Sequence, residues 1–171
     1  ATPTEEKESY RWIESLHNAA MQLQNTQVVT VCDREADMYE LFQQAAEINM
    51  PVLVRANHDR AVNKRSMYQE DGIETLWQLL ANEKPAGFFQ VEVPERKGGK
   101  HTFPREARVA TVALRFGAIT LNPPKRLSSA LPDIPMYAVY VMEVDPPNNA
   151  EPLEWMLLTT LSVTNFAEAF E

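Results

Sequence analysis

Charged side chains gather where the first predicted β-strand ends. Asp33 follows the apolar run that closes at Cys32, and three further charged residues come directly after it, namely Arg34, Glu35 and Asp37. In an open α/β sheet, ligands bind in the crevice outside the carboxyl ends of the strands. Carboxylate oxygens at such a place suit Mg²⁺. The pattern therefore indicates metal or substrate binding by Asp33.

The same residue types are also typical of a helix start. Asp is a favoured N-cap residue, and acidic side chains such as Glu35 and Asp37 suit the positive end of a helix dipole. Judged from these residues alone, a cap is the favoured interpretation of Asp33, and catalysis is the second.

Two basic segments lie within an acidic chain. The formal net charge of −8 argues against a uniformly basic nucleic-acid binder. However, residues 55–65 contain four basic side chains against Asp59, and residues 95–108 contain five against two acidic ones. Such segments can form an anion-binding face, or they can be ordinary solvated loops.

Hydrophobic spacing predicts the elements that position these residues. A helix over 5–24, a strand over 27–32, a second helix over about 36–48 and a strand over 52–55 follow one another. This order predicts an α/β fold in which the two strands are parallel. The near-continuous apolar run at 27–32 also predicts a strand that is buried on both faces.

The pattern becomes β-rich in the second half of the chain. A short third helix is expected near 73–82. Strands are expected at 87–93, 107–114, 117–121, 136–145 and 154–160. We interpret residues 57–153 as an inserted, mostly antiparallel β subdomain. Residues 1–56 would form part of an α/β core, and residues 154–171 would return the chain to it.

The single cysteine and the hydropathy pattern indicate the cellular compartment in which the protein is expected. Cys32 has no partner for an intrachain disulfide, and its apolar neighbours predict a buried thiol. No apolar run approaches the roughly 18 residues of a membrane span, and the first residues lack a signal-peptide pattern. These features predict a cytoplasmic protein with no membrane partner.

Three sequence blocks resemble bacterial DDE transposases. They are VCDREAD at 31–37, LVRANHDR at 53–60 and EWMLLT at 154–159. In order and approximate spacing they are similar to the insertion-sequence-four group, which includes the cut-and-paste transposase of transposon five. The resemblance implies a ribonuclease H-like core and an enzyme that cleaves DNA and transfers its strands during transposition.

The resemblance changes the interpretation of Asp33. Enzymes of this family use three carboxylates, and two-metal sites of this kind hold their ions about 3.5–4 Å apart. Asp33 matches the second carboxylate, which implies a catalytic residue that binds Mg²⁺ or Mn²⁺. The first carboxylate has no match before Asp33, and the last would fall beyond Glu171. We therefore expect a fragment that is inactive alone and that, in the full-length enzyme, acts as a homodimer on double-stranded transposon ends.

The resemblance also implies contacts with DNA. Arg55, His58 and Arg60 match a block close to transposon-end DNA, and the planar fork of arginine suits phosphate. Trp155 matches a tryptophan that stacks on a flipped-out base, although a tryptophan in an apolar strand is equally typical of a core. The basic residues of the insertion are expected to form a patch rather than individual contacts. They are Arg96, Lys97, Lys100, His101, Arg105 and Arg108.

Two other classes of function compete with a transposase. The first is a metal-dependent phosphohydrolase acting on small molecules, suggested by Asp33 and Asp37 near a strand end. The second is a non-catalytic DNA-binding module from a degenerate element, suggested by the two unmatched carboxylates. The basic insertion favours DNA over a small substrate.

Overall fold

A six-stranded mixed sheet with helices packed against it organises the chain. The computed structural model describes residues 10–22, 28–62, 75–99, 104–124, 131–148 and 150–171. The helices are α1 (Tyr10–Gln22), α2 (Tyr39–Glu47), α3 (Leu76–Asn82) and α4 (Phe166–Phe170). The strands are β1 (Thr30–Cys32), β2 (Val52–Arg55), β3 (Gly87–Val93), β4 (Arg108–Leu121), β5 (Ile134–Glu143) and β6 (Glu154–Thr159). Among the described helices, none is long and apolar enough to cross a membrane.

The strand order is β1-β2-β6-β5-β4-β3. Strands β1 and β2 are parallel, and every other neighbouring pair is antiparallel. Strand β6 lies between β2 and β5, so the last strand does return the chain to the first two. The α/β fold class and the parallel pairing of β1 with β2 are therefore confirmed.

The prediction that β1 is buried on both faces is wrong. Strand β1 lies at the edge of the sheet, where Val31 is 68% exposed and Cys32 only 6%. The helices cover the face that carries Cys32, whereas Val31 points to the other side. The buried thiol of Cys32 is confirmed, and burial, followed by the charge of Asp33, raises its pKa.

Two predicted boundaries are also wrong. The strands expected at 107–114 and 117–121 form the single strand β4, because Arg115 and Phe116, which lie between the two predictions, pair with Tyr140 and Val139 of β5. The helix expected from about residue 36 starts later. A 3₁₀ turn at Arg34–Ala36 comes first, and α2 begins at Tyr39.

Hydrophobic side chains bury both faces of the sheet. On one face, α1, α2 and α3 cover β2, β5 and β6, through a cluster that includes Leu16, Phe42, Leu80, Val54, Met136 and Leu158. On the other face, α4 packs against a smaller cluster built from Val112, Leu114, Val139, Val141 and Val163. Burying apolar surface in this way is the main term that stabilises the fold. The predicted core and insertion share one sheet, and the division at residues 57 and 153 stays a prediction.

Candidate nucleic-acid interface

Asp33 lies at the carboxyl end of β1 and is exposed. Its Oδ1 accepts a hydrogen bond from the Glu35 backbone N–H at 3.0 Å, so it caps the 3₁₀ turn that follows. Cys32 pairs with Val54 in the parallel register. One step further along, Asp33 is level with Arg55 at the end of β2. The ends of β1 and β2 therefore bring together Asp33, the predicted metal ligand, and Arg55, a predicted DNA contact.

The residues around Asp33 do not by themselves fit a metal centre. Within the part of the chain that the structure describes, no group of three or more His, Cys, Asp or Glu side chains could hold a metal ion. Asp33 supplies one carboxylate, whereas a magnesium site requires several oxygen ligands. Binding of Mg²⁺ or Mn²⁺ by Asp33 stays a prediction, and no metal-dependent step is derived from these residues.

Asp37 anchors the loop that follows β2. Its side chain is fully buried, and its Oδ2 accepts the backbone N–H groups of Asn57 at 2.7 Å and His58 at 2.9 Å. Its Oδ1 accepts from the Arg60 guanidinium, which also donates to the Asp37 carbonyl oxygen at 3.2 Å. A buried carboxylate is tolerated when its lone pairs are satisfied in this way.

This anchor gives Arg60 and His58 positions that the sequence did not specify. The side chain of Arg60 is 17% exposed and is engaged with Asp37, while the His58 side chain lies at the surface. Neither residue lines the groove described next. The structure therefore separates Arg60 and His58 from Arg55, their neighbour in the same sequence block.

A groove with a cavity volume of about 1470 Å³ opens beside the ends of β1 and β2. Its lining comes from the end of β2, from the connection between β3 and β4, and from the segment that leads into β6. Six residues that the resemblance assigns to DNA line it together, namely Arg55, Arg96, Lys97, Arg105, Arg108 and Trp155. Lys100 and His101 lie outside the described residues.

The groove has a charge balance opposite to that of the chain. The full sequence contains 16 Lys and Arg against 24 Asp and Glu. The groove lining contains Arg34, Arg55, Arg96, Lys97, Arg105 and Arg108 against Glu95, Glu106, Glu151 and Glu154. A local excess of positive charge attracts anions even on an acidic protein.

Arg34 and Arg55 form the edge of the groove nearest to Asp33. Burial, and then the charge of Arg34, lower the pKa of Arg55 from its ordinary value. Arginine stays charged at neutral pH all the same, so two like charges line the same part of the groove. Arg55 Nη2 also donates to the Glu154 carbonyl oxygen at 3.5 Å, which is a weak contact. An anion bound beside this pair would reduce the repulsion between the two guanidinium groups.

The connection between β3 and β4 forms one wall. Arg96 and Arg105 exchange two backbone hydrogen bonds of 2.8 Å, in continuation of the register that pairs Val93 with Arg108. Residues paired directly across an antiparallel ladder point to the same side. The Arg105 guanidinium also donates to the Pro94 carbonyl oxygen from Nε at 3.3 Å and from Nη2 at 3.1 Å. The ladder thus holds two arginines side by side at the groove.

Strand β6 contributes Trp155 and Glu154. Trp155 is half-buried against the smaller hydrophobic cluster and pairs with Val141, so it packs in the fold and also lines the groove. Glu154 Oε1 accepts from Trp77 Nε1 at 3.0 Å and from the Tyr140 hydroxyl at 2.8 Å. Burial, together with the hydrogen bond to Glu154 and its charge, raises the pKa of Tyr140 to about 12.

Sequence reasoning gave Arg34 and Glu154 no role in a binding surface. The sequence pattern assigns Arg34 to a helix start, whereas the structure places it in the groove lining. The signal that could have found it is the parallel register, which sets the residues after β1 beside the end of β2. Glu154 is fixed by Tyr140 of β5 and Trp77 of α3, two contacts that depend on the tertiary fold.

The site is a basic groove at the strand ends of a mixed α/β sheet, with a tryptophan in its lining. A scan of the sequence against models of known protein families finds no match. The function is therefore inferred from the chemistry of the groove and from the sequence blocks that it brings together.

Proposed function

We propose that the groove binds the sugar-phosphate backbone of double-stranded DNA and that the chain is part of a DDE transposase of the insertion-sequence-four group. One observation carries the proposal. Residues from three distant stretches, each matched to a DNA contact by the sequence resemblance, line one groove with an excess of basic charge. A ribonuclease H-like core and a homodimer assembled on transposon ends belong to the same proposal.

The chemistry of the lining suits DNA. Guanidinium and ammonium groups neutralise phosphates and release their counterions, which provides affinity without dependence on base sequence. An exposed part of Trp155 could stack on an unpaired base, an interaction worth about 1–3 kcal/mol. Asp33 follows β1 next to the groove edge formed by Arg34 and Arg55, so DNA bound there would pass close to its carboxylate. In the intact enzyme we propose that Asp33 supplies one ligand of a two-metal site.

A non-catalytic DNA-binding module is the second candidate. The observation that favours it is the lack of any potential metal cluster among the described residues. Both candidates predict DNA binding in the same groove, and they differ in whether the full-length protein cuts DNA. The metal-dependent phosphohydrolase has no comparable support, because a groove of this size, lined by six basic side chains, exceeds the needs of a small substrate.

Mapping the bound surface tests the proposed groove. A duplex added to ¹⁵N-labelled protein should shift backbone amide signals near Arg34, Arg55 and Trp155 and in the wall formed by 95–98 and 104–108. The amides of residues 44–50, which precede β2 at the end away from Arg55 and lie outside the groove lining, serve as the internal control. Shifts confined to 44–50, or spread evenly over the chain, would contradict the proposal.

Cleavage assays separate the two candidates. The isolated chain should not cut DNA with Mg²⁺ or Mn²⁺, because it offers one matched carboxylate. In the full-length protein, Asp33→Asn should abolish cleavage and leave DNA binding nearly unchanged. Cleavage retained by Asp33→Asn would remove Asp33 from the metal site, and a full-length protein that binds but never cuts would favour the non-catalytic module.

A further inference from the structure

An ion pair beside the groove joins the first residue of β4, Arg108, to the last residue of β5, Glu143. Arg108 and Glu143 make two parallel hydrogen bonds, Nε to Oε1 at 3.0 Å and Nη2 to Oε2 at 2.7 Å. Their side chains are only 14% and 3% exposed. Two-point pairing of this kind is stronger and more directional than a single contact.

The same pair holds the segment that leads into β6. Glu143 Oε2 also accepts the Leu153 backbone N–H at 2.9 Å, and Arg108 Nη2 donates to the Glu151 carbonyl oxygen at 3.3 Å. The backbone N–H of Glu143 donates to the Leu153 carbonyl oxygen at 2.8 Å. Glu151, Pro152 and Leu153 all line the groove. The side chains of the ion pair are therefore joined to the backbone of this wall at two points, beside one backbone hydrogen bond between Glu143 and Leu153.

The charge of Arg108 is already compensated. Glu143, the partner in two of its hydrogen bonds, raises the pKa of Arg108, and Arg108 in turn lowers the pKa of Glu143. Arg55 differs, because burial and then the positive charge of Arg34 lower its pKa, and no salt bridge among the described residues joins Arg55 to a carboxylate. Of these two arginines in the groove lining, Arg55 is the one whose charge remains available for a phosphate.

We infer that Arg108 is a positioning residue rather than a phosphate contact. Together with Glu143 it holds the backbone at 151–153 and so keeps one wall of the groove in place for DNA. This inference rests on the proposed function, and it corrects the sequence-based expectation that Arg108 is one more member of a basic patch.

Salt dependence of DNA affinity distinguishes a phosphate-binding residue from a positioning residue. Removing one phosphate-binding side chain lowers the slope of log K against log salt by about 1. Arg55→Gln should reduce the slope by this amount. Arg108→Gln should weaken binding about tenfold, as expected for the removal of charge-assisted hydrogen bonds, and leave the slope unchanged.

Two further variants distinguish the effect of the two-point hydrogen bonding between Arg108 and Glu143 from the effect of their charges. Arg108→Lys keeps the charge but cannot make the two parallel bonds, so it should bind DNA more weakly than the wild type. Glu143→Gln removes a negative charge near the groove, which would strengthen DNA binding if charge alone mattered. We expect weaker binding instead, because the wall loses its support. A lower slope in Arg108→Gln, or tighter binding in Glu143→Gln, would overturn the inference.

Hydrogen exchange tests the same inference without DNA. In Arg108→Gln, the Leu153 amide should exchange faster than in the wild type, while the Val54 and Leu158 amides in the core keep their protection. Unchanged exchange at Leu153 would overturn the inference, and faster exchange at all three amides would show general destabilisation and overturn it as well. If the wild-type protein bound no DNA, the proposed function would fail, and this measurement would still report whether the ion pair holds the wall.

Discussion

At the scale of single residues, neighbouring charges in one short block have different roles. Asp33 caps a turn at the surface, Asp37 is buried and accepts two backbone amides and a guanidinium, and Arg34 lines the groove. Judged from the residues alone, the sequence favoured a capping role for Asp33, and a cap on the 3₁₀ turn is confirmed. It could not predict which aspartate is buried, because that depends on the loop after β2 that packs over Asp37.

Asp37→Asn should strongly destabilise the fold. The substitution leaves the mostly buried Arg60 without its charged partner, and breaking a pair of this kind costs about 3–5 kcal/mol. Glu35→Gln is a matched control, since Glu35 pairs with Arg11 at the surface and such pairs contribute about 0–1 kcal/mol. Denaturant unfolding of both variants measures the difference. Equal, small decreases in stability would contradict the structural role of Asp37.

Tyr140 should titrate far above an ordinary tyrosine. Its pKa is raised from 10.0 to about 12, so the stability that it contributes is present below pH 10.0 and is lost as the pH rises through about 12. Glu154→Gln removes the neighbouring charge and should lower this pKa, although burial, the largest cause, keeps it above 10.0. Tyrosinate absorbance measured against Tyr140→Phe isolates the transition. A Tyr140 that ionises at an ordinary pH in the folded wild type would contradict this environment.

At the scale of elements, hydrophobic spacing predicted which segments form helices and strands, but, apart from the parallel pair β1 and β2, not which strands are neighbours in the sheet. The period-two pattern and apolar runs located β2, β3 and β6 closely. The exposure of Val31 was missed because an apolar run looks the same in an edge strand and in a central one. The continuity of β4 through Arg115 and Phe116 was missed because their pairing with Tyr140 and Val139 of β5 is a long-range contact that leaves no local pattern in the sequence.

Gly87→Ala tests the packing of α4 on the sheet. A Cβ at Gly87 would overlap the ring of Phe166, which stacks on Phe170. We expect displacement of α4 and a destabilisation of about 1–3 kcal/mol, the usual cost of overpacking. Gly117→Ala is the control, because a Cβ there meets nothing within 4 Å and should change stability by less than about 1 kcal/mol. Thermal unfolding that ranks the two variants in the opposite order would contradict this packing.

At the scale of the whole molecule, the groove depends on chain topology more than on any one motif. The sequence resemblance identified most of the basic residues of the groove, and Trp155, but as separate matches along the chain. Their convergence required β6 to lie between β2 and β5, and the β3–β4 connection to reach the same end of the sheet. Long-range pairing of this kind leaves no local pattern in the sequence. For this reason the sequence did not predict that Arg34 lines the groove, or that Arg60 pairs with Asp37 outside it.

The salt dependence of DNA binding tests the central claim most directly. Duplex affinity should be measured by fluorescence anisotropy over a range of salt concentrations for the wild type, for Arg55→Gln combined with Lys97→Gln and Arg105→Gln, and for Lys84→Gln. Lys84 is an exposed lysine outside the groove lining. The account predicts steep salt dependence in the wild type, a slope lower by about 3 in the triple variant and an unchanged slope in Lys84→Gln. Equal slopes in all three proteins, or binding that salt does not affect, would contradict it.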